Sequence, residues 1–279
     1  MLFNVASAEV VRYAVVGHVE VVEFLHVDHV PQPGEIVHAG ETWTEPAGGG
    51  TVAAAALSRL GDSVTFFTAF GDDEVGRRAQ HDLRKLGLRI ESVYRDESQR
   101  RGFVYLDASG ERTITVIGRK LAPRADDPLP WADLDDVAGV YFCGSDPGAL
   151  REARRARALV ATARELPTLR EAGVELDAVV HSGSDPGEQY QAGSFDPPPR
   201  LVVTTEGRSG GRYLDGEREG RWSAAPLSDP LVDTYGAGDS FAAGLAHGLG
   251  IGLPTDEALA VAARAAAAAM TVRGAGTSR

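Results

Sequence analysis

Nine consecutive residues near the end of the chain combine glycines, two carboxylates and the start of an apolar repeat. The stretch begins at Asp233 and reads D-T-Y-G-A-G-D-S-F. Apolar residues then recur at every fourth position from Ala237 to Leu249, which is helical spacing. The sequence therefore predicts a glycine-rich turn that opens a helix, with Asp239 in the first turn of that helix.

The start of such a helix suits an anion. Its first backbone N–H groups lack intrahelical partners, the helix dipole is positive there, and glycines allow a close approach. Phosphoryl transfer follows if the amides of Gly236, Ala237 and Gly238 hold a phosphate while Asp239 removes a proton from an attacking hydroxyl. The alternative is a glycine-rich loop without chemistry, which is the more common case for an isolated G-x-G motif.

The complete string is longer and more specific than a pair of glycines. It resembles the signature of the ribokinase-like (phosphofructokinase B) family of carbohydrate kinases. The resemblance implies that Asp239 is the general base and that the backbone of Gly236, Ala237 and Gly238 is the anion hole. It also implies an α/β fold, a three-layer α/β/α sandwich with a mainly parallel central sheet and a small β-sheet lid. A single domain over residues 1–279 is expected, with ATP and Mg²⁺ as cofactors.

Composition excludes several other classes of protein. The formal net charge of the 279 residues is −12, which argues against a nucleic-acid partner. Cys143 is the only cysteine, so no intrachain disulfide can form, and this suits a reducing compartment. No stretch has the ~20 apolar residues of a membrane helix, and none resembles a secretory signal. We therefore expect a cytoplasmic protein without a membrane partner; homodimers are common in the resembled family.

Strands and helices are predicted to alternate along much of the chain. A Val-rich run over residues 12–19 predicts a buried first strand. Beyond residue 137 the pattern predicts a strand at 140–142, a helix at 150–164, and further strands at 179–181 and 201–205. This order indicates parallel βαβ units, in which ligands bind beyond the carboxyl ends of the strands.

The acceptor side of the site departs from the family pattern at two positions. An Asp that grips substrate hydroxyls in the family corresponds to Val22, and alternation places Glu20 on the same face. Glu20 is therefore the candidate substrate-binding carboxylate, with a solvated edge-strand glutamate as the alternative. In a second motif, similar to G-G-x-x-x-N-x-A, the two glycines correspond to Ala47 and Gly48, and the substrate-binding Asn corresponds to Val52. The candidate substrate-binding residues of this segment are Gly48, Gly49 and Val52.

These changes bear on the identity of the acceptor. A valine cannot hydrogen-bond to a sugar hydroxyl, so the pattern favours an acceptor with fewer hydroxyls or with an attached base, such as a nucleoside. Gly49 stands where related kinases often have Lys, which disfavours a phosphorylated sugar at that position.

The resembled lid is expected around residues 34–46 and 100–118, with strands at 36–38, 41–44, 102–106 and 113–117. Its arginines could contact phosphate or acceptor, or could simply be surface residues; these are Arg100, Arg101 and Arg112.

Three groups of residues are expected to serve the nucleotide and ions. Thr205, Gly207 and Gly210 match a T-x-G-x-x-G turn that lies beside the nucleotide in the family. The family's N-x-x-E motif for magnesium has lost its Asn, which leaves Asp185 and Glu188 as candidate ligands. Some members bind a monovalent cation such as K⁺, for which the candidates are Asp233, Gly274 and Ser278.

The expected function is ATP-dependent, magnesium-requiring phosphorylation of a hydroxyl on a small sugar-like acceptor. A nucleoside kinase of the same family is one alternative. A ligand-binding or regulatory protein that has lost turnover is another, favoured by the two valines and opposed by the intact signature string. An NAD-dependent Rossmann enzyme is excluded, because no G-x-G-x-x-G follows the first strand.

Overall fold

Short runs of Val, Ala and Phe form the central sheet, because strands buried on both faces need apolar side chains on both. A computed structural model describes residues 10–60, 63–107 and 112–277, and this part of the chain contains a nine-stranded sheet. Its strands, numbered in chain order and given in spatial order, are β13 (Arg218–Trp222), β12 (Gly211–Asp215), β11 (Leu201–Thr205), β10 (Ala178–Ser182), β9 (Ala158–Thr162), β8 (Gly139–Phe142), β1 (Arg12–Val16), β4 (Ser63–Gly71) and β5 (Arg89–Arg95).

Seven neighbouring strands of this sheet, β11 to β5, are parallel. The remaining two form an antiparallel hairpin at one edge, where β12 pairs with β11 and β13 pairs with β12. All carboxyl ends of the parallel strands therefore lie at one edge, where the expected functional residues must meet.

Helices cover both faces of the sheet. The α-helices are α1 (Gly49–Arg59), α2 (Glu74–Lys85), α3 (Pro147–Ala153), α4 (Leu166–Ala172), α5 (Ala237–Gly250) and α6 (Thr255–Ala269). Short 3₁₀ helices lie at Trp131–Asp136, Ala163–Glu165 and Gly207–Ser209. One core cluster packs α1, α2, α5 and α6 against the sheet, and a second packs α3 and α4 against the other face. The predicted three-layer α/β/α fold class is confirmed.

Helix α5 carries the signature string and lies very close to α6. A Cβ at Gly244 would lie 2.8 Å from the Cβ of Ala265, and one at Gly248 would lie 2.8 Å from the Cα of Ala258. Gly and Ala therefore bring the two helix backbones together. This packing fixes α5, and with it the first turn that holds Asp239.

A second, four-stranded sheet in the described chain forms the lid. Its order is β3 (Glu41–Ala47), β2 (Glu20–His26), β6 (Arg101–Leu106) and β7 (Arg112–Ile117). Strand β2 follows β1 after a short connection, so the lid is joined directly to the central sheet. The prediction of a strand at residues 36–38 is wrong: this segment, with two prolines just before it, forms no strand pair.

The prediction of a helix over residues 150–164 is also wrong. Helix α3 ends at Ala153, and strand β9 occupies Ala158–Thr162 with all five residues buried. A short Ala/Leu/Val run that is buried on every side has no periodicity to distinguish strand from helix. The consequence is an additional βαβ unit, which places residues 162–165 at the carboxyl edge of the sheet.

Candidate active site

The signature string forms the entry to α5 as predicted. Gly236 caps the helix with φ 74°, a left-handed conformation that favours glycine, and Ala237 is the first helical residue. Asp239 lies in the first turn. The amides of this turn, which have no partners within the helix, thus lie on the same short segment of backbone as the carboxylate.

The carboxylate of Asp239 is held on one side. The hydroxyl of Tyr141, from the end of β8, donates a hydrogen bond of 2.7 Å to Oδ1 of Asp239. A Cβ added at Gly49 would lie 2.7 Å from the same oxygen, so the first turn of α1 also closes this side. Among the described residues, none donates a hydrogen bond to Oδ2.

Val52 closes one side of the expected anion hole. A Cβ at Gly236 would lie 2.5 Å from Cγ1 of Val52, whereas a Cβ at Gly238 would meet no atom within 4 Å. The turn is therefore packed against α1 at Gly236 and open at Gly238. An anion can reach the amides from the open side.

Two hydrogen bonds fix the turn before the helix. Oδ1 of Asp233 accepts from the N–H of Tyr235 at 2.8 Å, and the hydroxyl oxygen of Tyr235 accepts from the N–H of Gly48 at 3.0 Å. Burial, followed by the charge of Glu20, raises the pKa of Tyr235 far above its usual value. The tyrosine therefore stays neutral and links the signature string to the glycines before α1.

Glu20 is a buried carboxylate in a charged cluster at the acceptor side. Its Oε1 lies 2.7 Å from Nε of Arg100 and 3.5 Å from Nε2 of His18. Burial alone would raise the pKa of Glu20, but the hydrogen bond and charge of His18 and the charge of Arg100 outweigh it and lower the pKa. Glu20 is thus ionised and held by Oε1, while Oε2 accepts no hydrogen bond from the described residues.

The two valines that replace polar family positions pack together with Tyr235. Val22 and Val52 are 1% and 3% exposed and belong to one apolar cluster with Tyr235 and Phe24. This cluster lies between the lid and the signature string. The acceptor side therefore combines an apolar wall with the charged cluster around Glu20.

The magnesium candidates lie beyond the carboxyl ends of β9 and β10. Arg164 contacts both of them, at 2.7 Å from Asp185 and 3.3 Å from Glu188. Burial raises the pKa of Glu188, against the hydrogen bond from Thr162. The hydrogen bond from Arg164 lowers the pKa of Asp185. The described chain has no cluster of three acidic, His or Cys ligands. Two carboxylates suit Mg²⁺ held mainly by phosphates and water.

The T-x-G-x-x-G residues lie beside the magnesium candidates. Thr205 ends β11, and its carbonyl accepts from the N–H of Gly183 at 2.8 Å, in the loop after β10. Gly207 and Gly210 have φ 58° and 77°. At Gly210 a Cβ would also lie 2.1 Å from the carbonyl oxygen of Trp222. The turn thus requires glycine and lies next to the loop of Asp185 and Glu188.

The monovalent-cation candidates do not form an oxygen cage. Oδ2 of Asp233 accepts from the N–H of Gly274 at 3.1 Å. In the same loop, Glu45 accepts from the N–H of Ala275 at 2.9 Å, and Arg59 donates to the carbonyl of Gly276. Amide donors therefore face the carboxylates where a cation would need carbonyl oxygens, so these residues do not fit K⁺. The third candidate, Ser278, lies outside the described residues.

The three lid arginines have different positions. Arg100 pairs with Glu20, and Arg112 donates to both the carbonyl and the hydroxyl of Thr234, in the signature string. Arg101 instead lines, with Glu23, a groove of about 510 Å³ between the lid and α2, away from Asp239. All three arginines are candidates from the sequence alone, which does not distinguish their positions.

Two further residues of the site were not predicted from the sequence. Tyr141 contacts Asp239 across 98 positions of sequence, and Arg164 joins Asp185 to Glu188. In the sequence, nothing distinguishes Tyr141 from the apolar residues beside it in a buried strand. The predicted helix over residues 150–164 included Arg164. Only recognition of strand β9 would have placed this arginine at the carboxyl edge of the sheet.

Comparisons with known proteins bear on the family and the fold of this chain. A sequence model of the pfkB family carbohydrate kinases matches residues 12–168 and 175–279. A fructokinase from Salmonella typhimurium is 28% identical over 284 residues, covering 83% of this chain and 88% of the fructokinase. A ribokinase from Thermotoga maritima has a TM-score of 0.74 at 21% identity, covering 96% of this chain and 95% of that chain. An adenosine kinase from Sinorhizobium meliloti has a TM-score of 0.76 at 20% identity, covering 96% of each chain.

The two structural likenesses show the fold, and the sequence match shows the family. In the described residues, no helix is both long and apolar enough to cross a bilayer. Both matched ranges together include the lid, the central sheet and the signature string. This chain belongs to the pfkB family of carbohydrate kinases.

Proposed function

We propose that this protein is a kinase that transfers the γ-phosphoryl group of ATP to a hydroxyl of a small sugar-like acceptor. The observation that carries the proposal is the position of Asp239, in the first turn of a helix whose glycine-rich entry is open at Gly238. A carboxylate whose Oδ2 accepts no hydrogen bond from the described residues lies there beside the amides of the first turn, of which that of Ala237 makes a long hydrogen bond of 3.4 Å to the carbonyl of Thr234. That arrangement can take a proton and hold a phosphate at the same time.

The acceptor hydroxyl approaches Oδ2 of Asp239, which receives the proton as the oxygen attacks the γ-phosphorus. A new O–P bond forms, the bond to the β-phosphate oxygen breaks, and ADP leaves. The amides of Gly236, Ala237 and Gly238 stabilise the charge on the transferred group. General bases contribute about 10²–10⁴-fold to a rate, and a single oxyanion donor about 10²–10³-fold.

ATP would lie along the carboxyl edge of the sheet, with its phosphates between α5 and the turn of Thr205, Gly207 and Gly210. Glu188 and Asp185 would hold Mg²⁺ together with the phosphates. Bound Mg²⁺ would neutralise part of the negative charge of the phosphates. Arg164 already contacts both carboxylates and would be placed to contact the phosphates as well.

The acceptor would lie between the lid and the glycines before α1. Glu20 is held by Arg100 and His18 and offers Oε2 to an acceptor hydroxyl. Gly48 and Gly49 border the same space, since their added Cβ atoms would meet Glu20 and Asp239. The closed lid keeps water from the phosphoryl group.

A nucleoside acceptor is a second candidate, because Val22 and Val52 form an apolar wall that a base could contact. A ligand-binding protein without turnover is a third candidate, because the same two valines cannot hydrogen-bond to a sugar hydroxyl. The relatives include sugar kinases and a nucleoside kinase. The cytoplasmic location and the homodimer expected from the resemblance stay predictions.

The test is ADP release in a coupled assay with Mg·ATP against pentoses, hexoses, sugar acids, sugar phosphates and nucleosides. Turnover with one class names the acceptor. Binding of ATP by calorimetry without turnover on any acceptor would contradict the kinase and favour the ligand-binding protein.

Glu20→Gln is expected to raise KM for the acceptor about tenfold or more, because a hydrogen bond to a charged group is worth ~1.5–3 kcal/mol. KM for ATP should stay the same, since Glu20 faces the acceptor side. Steady-state kinetics with both substrates measure this. Glu23→Gln, on the opposite face of the same lid strand, is the matched control. An equal rise in KM for ATP would place Glu20 outside the acceptor site.

Replacing KCl by tetramethylammonium chloride at equal ionic strength is expected to leave turnover unchanged, because amide donors fill the cation position. A cation that binds the native state must also raise Tm, so thermal melts in the two salts should coincide. A higher Tm and faster turnover in KCl would show that the loop around Gly274 rearranges to bind the cation.

A further inference from the structure

Tyr141 reaches the proposed general base from strand β8, on the face of the central sheet that α5 covers. Its hydroxyl lies 2.7 Å from Oδ1 of Asp239. We propose that Tyr141 is a positioning residue that fixes Oδ1 of Asp239, so that Oδ2 is the oxygen that takes the proton of the acceptor. This inference rests on the proposed function of Asp239 and names a second group on which that function depends.

The tyrosine ring has no freedom to leave this position. Tyr141 is 1% exposed and lies on β8, opposite Val15 of β1 and Val160 of β9 in the two parallel ladders. All three side chains belong to the same core cluster. Packing at native density holds the ring in one rotamer, so the hydroxyl is directed at Asp239 before any ligand binds.

The direction of the hydrogen bond follows from electrostatics. Burial, followed by the charge of Asp239, raises the pKa of Tyr141 well above its usual value. The phenol is therefore neutral and donates, and the carboxylate accepts. Donation to a carboxylate favours its ionised form, which is the form that a general base needs.

Gly49 completes the arrangement from the other side. An added Cβ at Gly49 would lie 2.7 Å from Oδ1 but 3.4 Å from Oδ2 of Asp239. The backbone of α1 thus approaches the oxygen that Tyr141 holds. Oδ2 is left without a donor among the described residues, and it is the oxygen available to the acceptor.

Removing the phenol hydroxyl should affect kcat and KM differently. In Tyr141→Phe the carboxylate can rotate, so kcat should fall about 10–100-fold, the factor that corresponds to a hydrogen bond to a charged group. KM for ATP and KM for the acceptor should stay close to their natural values, because Tyr141 contacts the base and neither substrate. A residue that only packs would not lower kcat alone.

The experiment compares Tyr141→Phe with Tyr13→Phe. Tyr13 is a buried tyrosine on β1 whose ring stacks on His247 at 4.7 Å, so its variant also removes a buried hydroxyl but leaves Asp239 untouched. Thermal melts establish that each variant folds. The expected result is a loss of kcat at unchanged KM in Tyr141→Phe alone. Equal losses of kcat in both variants would overturn the proposal.

A measurement without turnover separates this inference from the proposed function. The exchange rate of the Tyr141 hydroxyl proton is measured by NMR in the natural protein and in Asp239→Ala. A proton that is protected in the natural protein and exchanges faster in the variant supports the contact, even if every acceptor fails in the assay. An equal exchange rate in both proteins overturns it. This measurement does not depend on the folding of Tyr141→Phe.

Discussion

Asp239→Asn is expected to lower kcat about 10²–10⁴-fold, the contribution of a positioned general base. The amide has the shape of the carboxylate, but it cannot take a proton from the acceptor. ATP affinity should change little. The amides of the α5 entry remain in place, and the loss of one negative charge beside the phosphates does not weaken binding. Coupled ADP release gives kcat, and calorimetry with ATP gives the affinity.

Asp256→Asn is the matched control for this variant. Asp256 also lies in the first turn of a helix, and its Oδ1 accepts a hydrogen bond of 2.6 Å from the hydroxyl of Tyr213. It lies on α6 beside the edge hairpin and is bonded to Arg218, so turnover should be kept. Full turnover in Asp239→Asn would mean that another group is the base.

Gly236→Ala is expected to lower kcat about 10²-fold or more, as for loss of an oxyanion-hole donor. The left-handed conformation at φ 74° costs a residue with a Cβ roughly 1–2 kcal/mol. The new methyl group would also overlap Cγ1 of Val52, at 2.5 Å. Both effects displace the turn whose amides hold the phosphoryl group, which kinetics and thermal melts would measure.

Two companion variants separate backbone strain from overlap. Gly252→Ala has the same kind of backbone, with φ 78°, but open space for the methyl group, so it should lose stability without losing turnover. Val52→Ala combined with Gly236→Ala removes the overlap and should recover part of kcat. If the double variant is no faster than Gly236→Ala, the contact with Val52 is irrelevant to the anion hole.

Local patterns were enough to predict the part of the site that lies on one stretch of chain. The glycines and Asp239 are within four residues of each other, so the string alone places amides and carboxylate together. Gly48 and Gly49, at the start of α1, were likewise predicted from a local motif. The three-layer fold also followed, because the signature string is specific to one family.

Contacts between distant segments could not be predicted in this way. Tyr141 meets Asp239 because β8 ends beside α5, and Arg112 meets Thr234 because the lid folds over the signature string. In each pair, no sequence pattern at one residue indicates that it contacts the other. The charged neighbours of Glu20 likewise come from the residue before β6 and from the link between β1 and β2, so only the folded chain makes Glu20 a paired buried group.

The two missed elements of secondary structure, β9 and the edge hairpin, have different causes. Strand β9 is short and buried on all sides, so it lacks the alternation that identifies a strand. The edge hairpin of β12 and β13 was missed although its burial alternates, because Gly and Arg dominate its second strand. Missing β9 had the larger effect, since it removed Arg164 from the expected site.

The contact of Arg112 with Thr234 has a thermodynamic consequence. Arg112 belongs to lid strand β7, while both of its acceptor oxygens belong to the residue two positions before Gly236. Movement of the lid and rearrangement of the anion-hole turn therefore share a free-energy term. Under the proposed function, any factor by which ATP changes the affinity for the acceptor through this contact would equal the factor by which the acceptor changes the affinity for ATP.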